Sequence, residues 1–318
     1  MSRVSLKVEP KTPPVKWKKF TQNYPPRSIA LDGFVFGPPR HISKDGRDYA
    51  SLNHHELVNR YATRATCGQV LMSIRMGMLE EMFRDDRGNL DFTVYANDCD
   101  EDVCLSWFLL RHSEMARNPI NPQINRLVHL EDLMDATAGA YPFPIEGAAL
   151  AEIGWIFHPY HLIRLNNGLG RRSAEEFRAV IEDVEHRIMD YITGKGKTVE
   201  LDTRYKIINQ YGNFVIMEEI GAQCRTKMYS DGIRSFLAVK KRPDGVYDYK
   251  IGKMSPYIKM DLIGAMKILN DLEGLSDNPD QWGGGDTIGG SPRIGGSRLK
   301  PEQIAEVVLQ KEAEAEAA

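Results

Sequence analysis

Three aspartates crowd one short run, Asn97-Asp98-Cys99-Asp100-Glu101-Asp102. Carboxylates held this close repel one another unless a cation neutralises them. Hard oxygen ligands of this kind suit Mg²⁺ or Mn²⁺. The same residues would also suit the start of a helix, where acidic side chains cap free amides and complement the dipole. Both readings stand on the residues alone. A second set is Asn53-His54-His55-Glu56. Adjacent histidines at a strand end point to opposite faces unless the chain turns into a helix there. A solvated loop is the plainer account of that pair. A third set is Trp282-Gly283-Gly284-Gly285-Asp286-Thr287-Ile288-Gly289-Gly290-Ser291-Pro292-Arg293. Glycine lets backbone amides approach an anion closely, and an arginine such as Arg293 can grip phosphate or carboxylate through two N–H groups. The alternative is a flexible linker. Asp135 precedes Ala136-Thr137-Ala138-Gly139. Such small residues admit a ligand, or simply follow the last turn of a helix.

The elements that must carry these groups can be read from hydrophobic spacing. Phe92, Val94 and Tyr95 make a buried strand. The acidic turn follows, and then an amphipathic helix bearing Val103, Trp107, Leu109 and Leu110. That order puts the aspartates at the carboxyl end of a strand, where open α/β sheets bind their ligands. Ser28–Phe36 reads as another strand, with Asp32 near its end. Val70, Leu71, Ile74, Met78 and Met82 follow helical spacing, with Thr66 as the expected N-cap. Leu127–Met134 and Ala174–Ile192 are further helices. Beyond Lys197 the pattern changes to short strands near 206–208, 213–220, 233–240 and 246–252, with helices near 222–229 and 261–272. The expected fold is α/β: a mostly parallel sheet flanked by helices, with a smaller α+β C-terminal domain. The expected boundaries are an N-terminal arm over 1–27, read as an extended arm or an edge strand, a first domain over 28–195 and a second over 196–318.

Composition narrows the classes. The chain has 318 residues and a formal net charge of −3. Nothing in that balance demands nucleic acid or an anionic membrane as partner. No apolar run approaches the ~18 residues of a membrane span. The N-terminus is polar, basic and proline-rich, without the apolar core of a signal peptide. Cys67, Cys99, Cys104 and Cys224 form no CxxC pair, which suits a reduced, cytoplasmic protein. No P-loop, GxSxG or HExxH motif occurs.

Taken together, these motifs resemble the DHH phosphoesterase superfamily with a DHHA1-like C-terminal domain. Strand-borne Asp32 followed by Asn53-His54-His55 resembles the aspartate strand and DHH motif. The Ala62–Val70 run resembles the small-residue stretch opening the next helix. Asn97–Asp102 resembles the spaced aspartates at a strand end, and GGGDTIGGSPR resembles the DHHA1 glycine loop. The chain departs from the family pattern in three places. Asn53 replaces the first acidic residue, the aspartate run follows the histidine pair instead of preceding it, and Asp286 stands where the family has histidine.

The resemblance implies Mn²⁺ or Mg²⁺ held by Asp32, His55, Asp98, Asp100, Asp102 and Asp135, with His54, His55 and Asp100 as catalytic groups. It implies that Gly283, Gly284, Gly285, Asp286, Ser291, Arg293 and Arg225 hold substrate. A two-metal site clamps the attacking and leaving oxygens of a phosphoryl displacement. The implied activity is hydrolysis of a phosphoester or phosphoanhydride in a small nucleotide or short oligonucleotide, in a cleft between domains, with a homodimer left open. The alternative is an inactive, regulatory nucleotide- or anion-binding protein on the same fold. A plainer alternative still is a scaffold whose acidic turn only caps a helix.

Overall fold

A computed structural model of the protein describes residues 3–10, 12–165 and 172–317, with residues 311–317 described by backbone alone. The chain divides into two compact units. The first takes the chain up to Ala136, with Ala151–Arg164 and Arg172–Val199; the second takes Thr137–Leu150 and the chain from Glu200 onward. The division therefore falls a few residues beyond the expected boundary at 195, and the second unit also recruits a segment from mid-chain.

In chain order the first elements are β1 (Arg3–Val8), β2 (Val15–Lys16), α1 (Trp17–Asn23), β3 (Ser28–Leu31), β4 (Val35–Phe36), β5 (Arg40–Lys44) and β6 (Arg47–Leu52). Then come α2 (Thr66–Arg75), α3 (Met78–Met82), β7 (Asp91–Ala96), α4 (Glu101–Arg111), α5 (Ser113–Arg117) and α6 (Pro122–Ala136). Three helices follow: α7 (Ala148–Ile156), α8 (His158–Leu165) and α9 (Ala174–Ile192). Five strands form one sheet in the order β1-β7-β3-β6-β5. The first four are mutually parallel, and β5 closes the edge antiparallel to β6. All four residues of β3 are buried, as a central strand covered on both faces requires. Phe20, Phe34, Tyr49 and Tyr95 pack together on this sheet.

The N-terminal segment, read as an extended arm or an edge strand, begins as an edge strand. Arg3, Ser5 and Lys7 of β1 face solvent while Val8 is buried, and the whole strand pairs with β7. Alternation of period two carried that signal. The long helix α9 has a full capping box, Ser173 with Glu176, and buries Phe177, Val180, Ile181, Val184 and Ile188.

The second unit contains β8 (Tyr205–Tyr211), β9 (Phe214–Glu219), α10 (Cys224–Ser230), β10 (Ser235–Lys241), β11 (Tyr247–Lys253), α11 (Leu262–Glu273), β12 (Gly283–Gly284), β13 (Ile288–Gly290) and α12 (Pro301–Ala317). Its sheet runs β12-β13-β11-β10-β9-β8. Only β9 and β10 are parallel; the other pairs are antiparallel. Residues of opposite parity along β9 and β10 face opposite ways. Phe214, Ile216, Leu237 and Val239 meet Leu262, Leu269, Ile304 and Val308 of α11 and α12. Val215, Met217, Phe236 and Ala238 meet Met228 and Tyr229 of α10. The fold is thus α/β overall, parallel in the core of the first sheet and mostly antiparallel in the second. Among the described residues, no helix is long and apolar enough to cross a membrane.

Candidate metal centre

The chain leaves β3 through two consecutive left-handed residues, Asp32 (φ +44°) and Gly33 (φ +76°). Aspartate tolerates that region better than most residues. Gly33 also lies against His55, whose Cδ2 would be 3.4 Å from an added Cβ. The turn is fixed by Asp32 N donating to Leu52 O at 2.9 Å. Asp32 is thereby aimed at the end of β6, where Asn53, His54 and His55 follow.

Asn53 shapes this junction and is buried. Its amide nitrogen donates to Val35 O (3.2 Å), Gly37 O (2.8 Å) and Glu56 Oε2 (2.7 Å). Its amide oxygen accepts from His55 N at 3.0 Å. An aspartate could not donate to those three oxygens. Asn53 is therefore committed to packing at this junction.

His55 Nε2 then lies 2.7 Å from Asp32 Oδ1, and Thr66 Oγ1 donates to the same oxygen at 3.1 Å. His54 is fully buried. Its Nε2 is 2.6 Å from Asp135 Oδ2, 3.5 Å from Asp32 Oδ1 and 3.8 Å from Asp102 Oδ2. Yet neither ring nitrogen has a hydrogen-bond partner of normal geometry among the described residues. Two sets of donor atoms each converge within 4.8 Å: Asp32, His54 and His55, and His54, Asp102 and Asp135. Ligands at about 2.1 Å from an ion and at right angles to each other sit about 3 Å apart. The spacings here fit that geometry, so these groups could hold a metal ion.

Thr66 is the first residue of α2, so it does not provide the expected cap; Ala65 stands at the N-cap position and has no side chain to offer. Carboxylates from other helices do the work. Asp132 Oδ1 accepts from Ala65 N at 2.6 Å, and Asp102 accepts from Thr66 N (2.7 Å, Oδ2) and Cys67 N (2.6 Å, Oδ1). A helix N-terminus is a ready anion site, and here protein carboxylates fill it.

The electrostatics reflect crowding. For His54, burial works against the charged form, but Asp135 and Asp32 outweigh it and raise its pKa to about 10. Asp32 is raised by burial and lowered more by His55 and His54, ending well below the usual carboxylate range. Asp102 is pushed up to about 7 by burial, then by Asp135 and Asp32. Burial, followed by Asp32 and Asp98, holds Asp100 well above its ordinary value. Glu131, one turn before Asp135 on α6, is also pushed well up, by burial and then by Glu101 and Asp135, and its Oε2 has no hydrogen-bond partner among the described residues.

No family model matches the chain, and no curated protein matches it.

The predicted residues divide as follows. Asp32, His54, His55, Asp102 and Asp135 come together, all within the first unit. Asp98 and Asp100 fall outside both converging sets. Asp98 Oδ1 accepts from the adjacent Cys99 N at 2.8 Å. Asp100 is the N-cap of α4, accepting from Val103 N at 2.9 Å. The capping reading of the acidic turn thus holds for Asp100, while Asp102 reaches the centre. The four cysteines are free and buried, and burial leads the causes that raise the thiols of Cys67, Cys99 and Cys104. Such thiols are poor nucleophiles.

In the second unit, the glycine-rich stretch is a hairpin. Gly283 and Gly284 pair with Gly290 and Gly289. Gly284 has φ +152°, and a Cβ there would fall 2.4 Å from Gly289 Cα; a Cβ on Gly289 would meet Met266 Sδ at 2.4 Å. Close approach within the hairpin explains Gly284, and packing on α11 explains Gly289. Gly285 N is spent on Ile288 O at 2.8 Å. Ser291 Oγ accepts from Tyr249 N at 3.0 Å. Asp286 and Arg293 are exposed. Arg225 is not part of this group: it sits on α10, on the opposite sheet face from α11, ion-paired with Glu219 and stacked over Phe236. Lys253 is committed to Ile258 O and Met260 O at 3.0 and 2.8 Å.

Sequence reasoning missed Arg60, Thr66 as an Asp32 partner, and Asp132. Each acts across a long stretch of chain, so no local pattern announces it.

Proposed function

We propose that the first unit is a DHH-like, metal-dependent phosphohydrolase domain, using Mn²⁺ or Mg²⁺ to cleave a phosphoester or phosphoanhydride in a small nucleotide or short oligonucleotide. The supporting observation is His54, a buried imidazole with no aligned hydrogen bond and three carboxylates within 3.8 Å of Nε2. A buried polar group left this way calls for a partner. Asp32, His54 and His55 would hold the ion, with Asp102 and Asp135 near the same His54 nitrogen. When bound, the ion supplies Lewis acidity and makes hydroxide available near neutral pH.

The chain's own residues do the positioning. Thr66 Oγ1 steadies Asp32, the first amides of α2 fix Asp102, and Arg60 fixes Asp135. His55, with 35% of its side chain exposed, is the ligand candidate that meets solvent. Under the same reading, the β12–β13 hairpin with Asp286 and Arg293 is the DHHA1-like phosphate contact. A cytoplasmic setting belongs to this reading too, supported by four free cysteines.

The rival is a regulatory protein that binds a nucleotide without turnover. The commitment of Asn53 to packing favours it, because one expected ligand is lost. The separating experiment supplies Mn²⁺ and a panel of dinucleotides, short oligonucleotides and nucleoside diphosphates. Metal-dependent release of product, lost in Asp32→Asn, supports the hydrolase. Bound nucleotide with every substrate intact supports the rival.

A further inference from the structure

The two converging donor sets are not equivalent. Asp102 already accepts two helix amides, one on each oxygen. Asp135 is already paired with a buried cation: Arg60, 8% exposed, donates from Nη2 to the Asp135 backbone oxygen at 2.8 Å and to Oδ2 at 3.5 Å. Asp135 supplies every hydrogen-bond and ion-pair partner of Arg60 among the described residues, and its Oδ2 also lies 2.6 Å from His54 Nε2. A buried guanidinium stays charged and needs its counter-charge. Asp135 is therefore committed to Arg60, and the carbonyl at the C-terminal end of α6 adds to the attraction. Among the described residues, the Asp32, His54 and His55 set has no such resident cation apart from its own imidazoles, and it opens to solvent through His55.

We propose that the centre holds one divalent cation, at Asp32, His54 and His55, and that the Arg60 guanidinium supplies the second positive charge where a two-metal phosphoesterase would carry a second ion. This rests on the metal-dependent reading above. Arg60 acts through Asp135 and is a positioning residue.

The test is manganese content of the full chain after saturation and desalting, read with the electron paramagnetic resonance spectrum of the bound ion. Wild type is expected to hold one equivalent with the six-line spectrum of an isolated Mn²⁺. Arg60→Met, which keeps the stem and removes the charge, is expected to rise to two equivalents with an exchange-coupled spectrum. Arg60→Lys is expected to stay at one. Two coupled equivalents in wild type would overturn the inference and leave the metal reading standing. One equivalent in both wild type and folded Arg60→Met would also overturn it. Should Arg60→Met fail to fold, the wild-type count and spectrum still decide. No manganese in wild type would overturn the metal reading itself.

Discussion

Asp102 ties α4 to α2: its Oδ2 accepts from Thr66 N at 2.7 Å, and its Oδ1 from Cys67 N at 2.6 Å. Asp100, two residues earlier, accepts one amide of its own helix. Removing either relieves like-charge crowding. Removing Asp102 also strands two buried amides, at roughly 1–3 kcal/mol each, whereas a lost N-cap costs about 1 kcal/mol. Without metal, Asp102→Ala should melt well below Asp100→Ala. Equal melting temperatures would refute the tie.

An aspartate at position 53 should do harm. Asn53→Asp would set a carboxylate against Val35 O, Gly37 O and Glu56 Oε2. The lost donors and new repulsion should cost roughly 3 kcal/mol or more. Urea unfolding at neutral pH should show this, with no gain in bound manganese. A stable variant with added metal would mean that Asn53 faces the centre after all.

Glu131 makes stability depend on pH. Its carboxyl is raised in the folded protein by burial and by neighbouring acids, Glu101 and Asp135 foremost. The unfolded chain therefore releases this proton first, near the ordinary carboxylate value of about 4.3. The contribution to stability is whole below that pH and is lost as pH rises through the elevated folded value. Metal-free wild type should lose more melting temperature between pH 5 and pH 8 than Glu131→Gln does. Parallel pH profiles would count against it.

Arg225 should matter to folding. It is largely buried with Glu219 and lies over the Phe236 ring. Breaking a buried pair from one side typically costs ~3–5 kcal/mol, softened here by Lys250, 3.6 Å from Glu219. Arg225→Met should lower the unfolding midpoint while leaving the Michaelis constant for any substrate unchanged. A raised constant with unaltered stability would return Arg225 to the substrate.

Much of the first unit was legible in sequence because its signals are local. The β7–loop–α4 unit, the strand before Asp32 and the capped helix α9 each carry period and punctuation within about twenty residues. The ligand ranking was less legible. His55 stood ahead of His54, yet His54 is the member shared by both donor sets. Asp98 and Asp100 stood beside Asp135 as implied ligands, but each turns an oxygen back to a nearby amide. Side-chain direction at a loop depends on partners such as Arg60 and Thr66 that lie elsewhere in the chain. The glycine hairpin misled differently: glycines that admit an anion and glycines that admit a methionine sulfur look alike in sequence.

The pairing of β1 with β7 bears on how the protein is made. Arg3 meets Asp91 and Val8 meets Ala96 in parallel register. Synthesis proceeds from the N-terminus, so β1 leaves the ribosome before β7 and must wait until its partner emerges. Contacts so distant in sequence form slowly, and an unpaired strand is an invitation to another chain. Arg3 and Lys7, charged and outward on β1, help keep a waiting nascent chain from sticking to its neighbours on the same message.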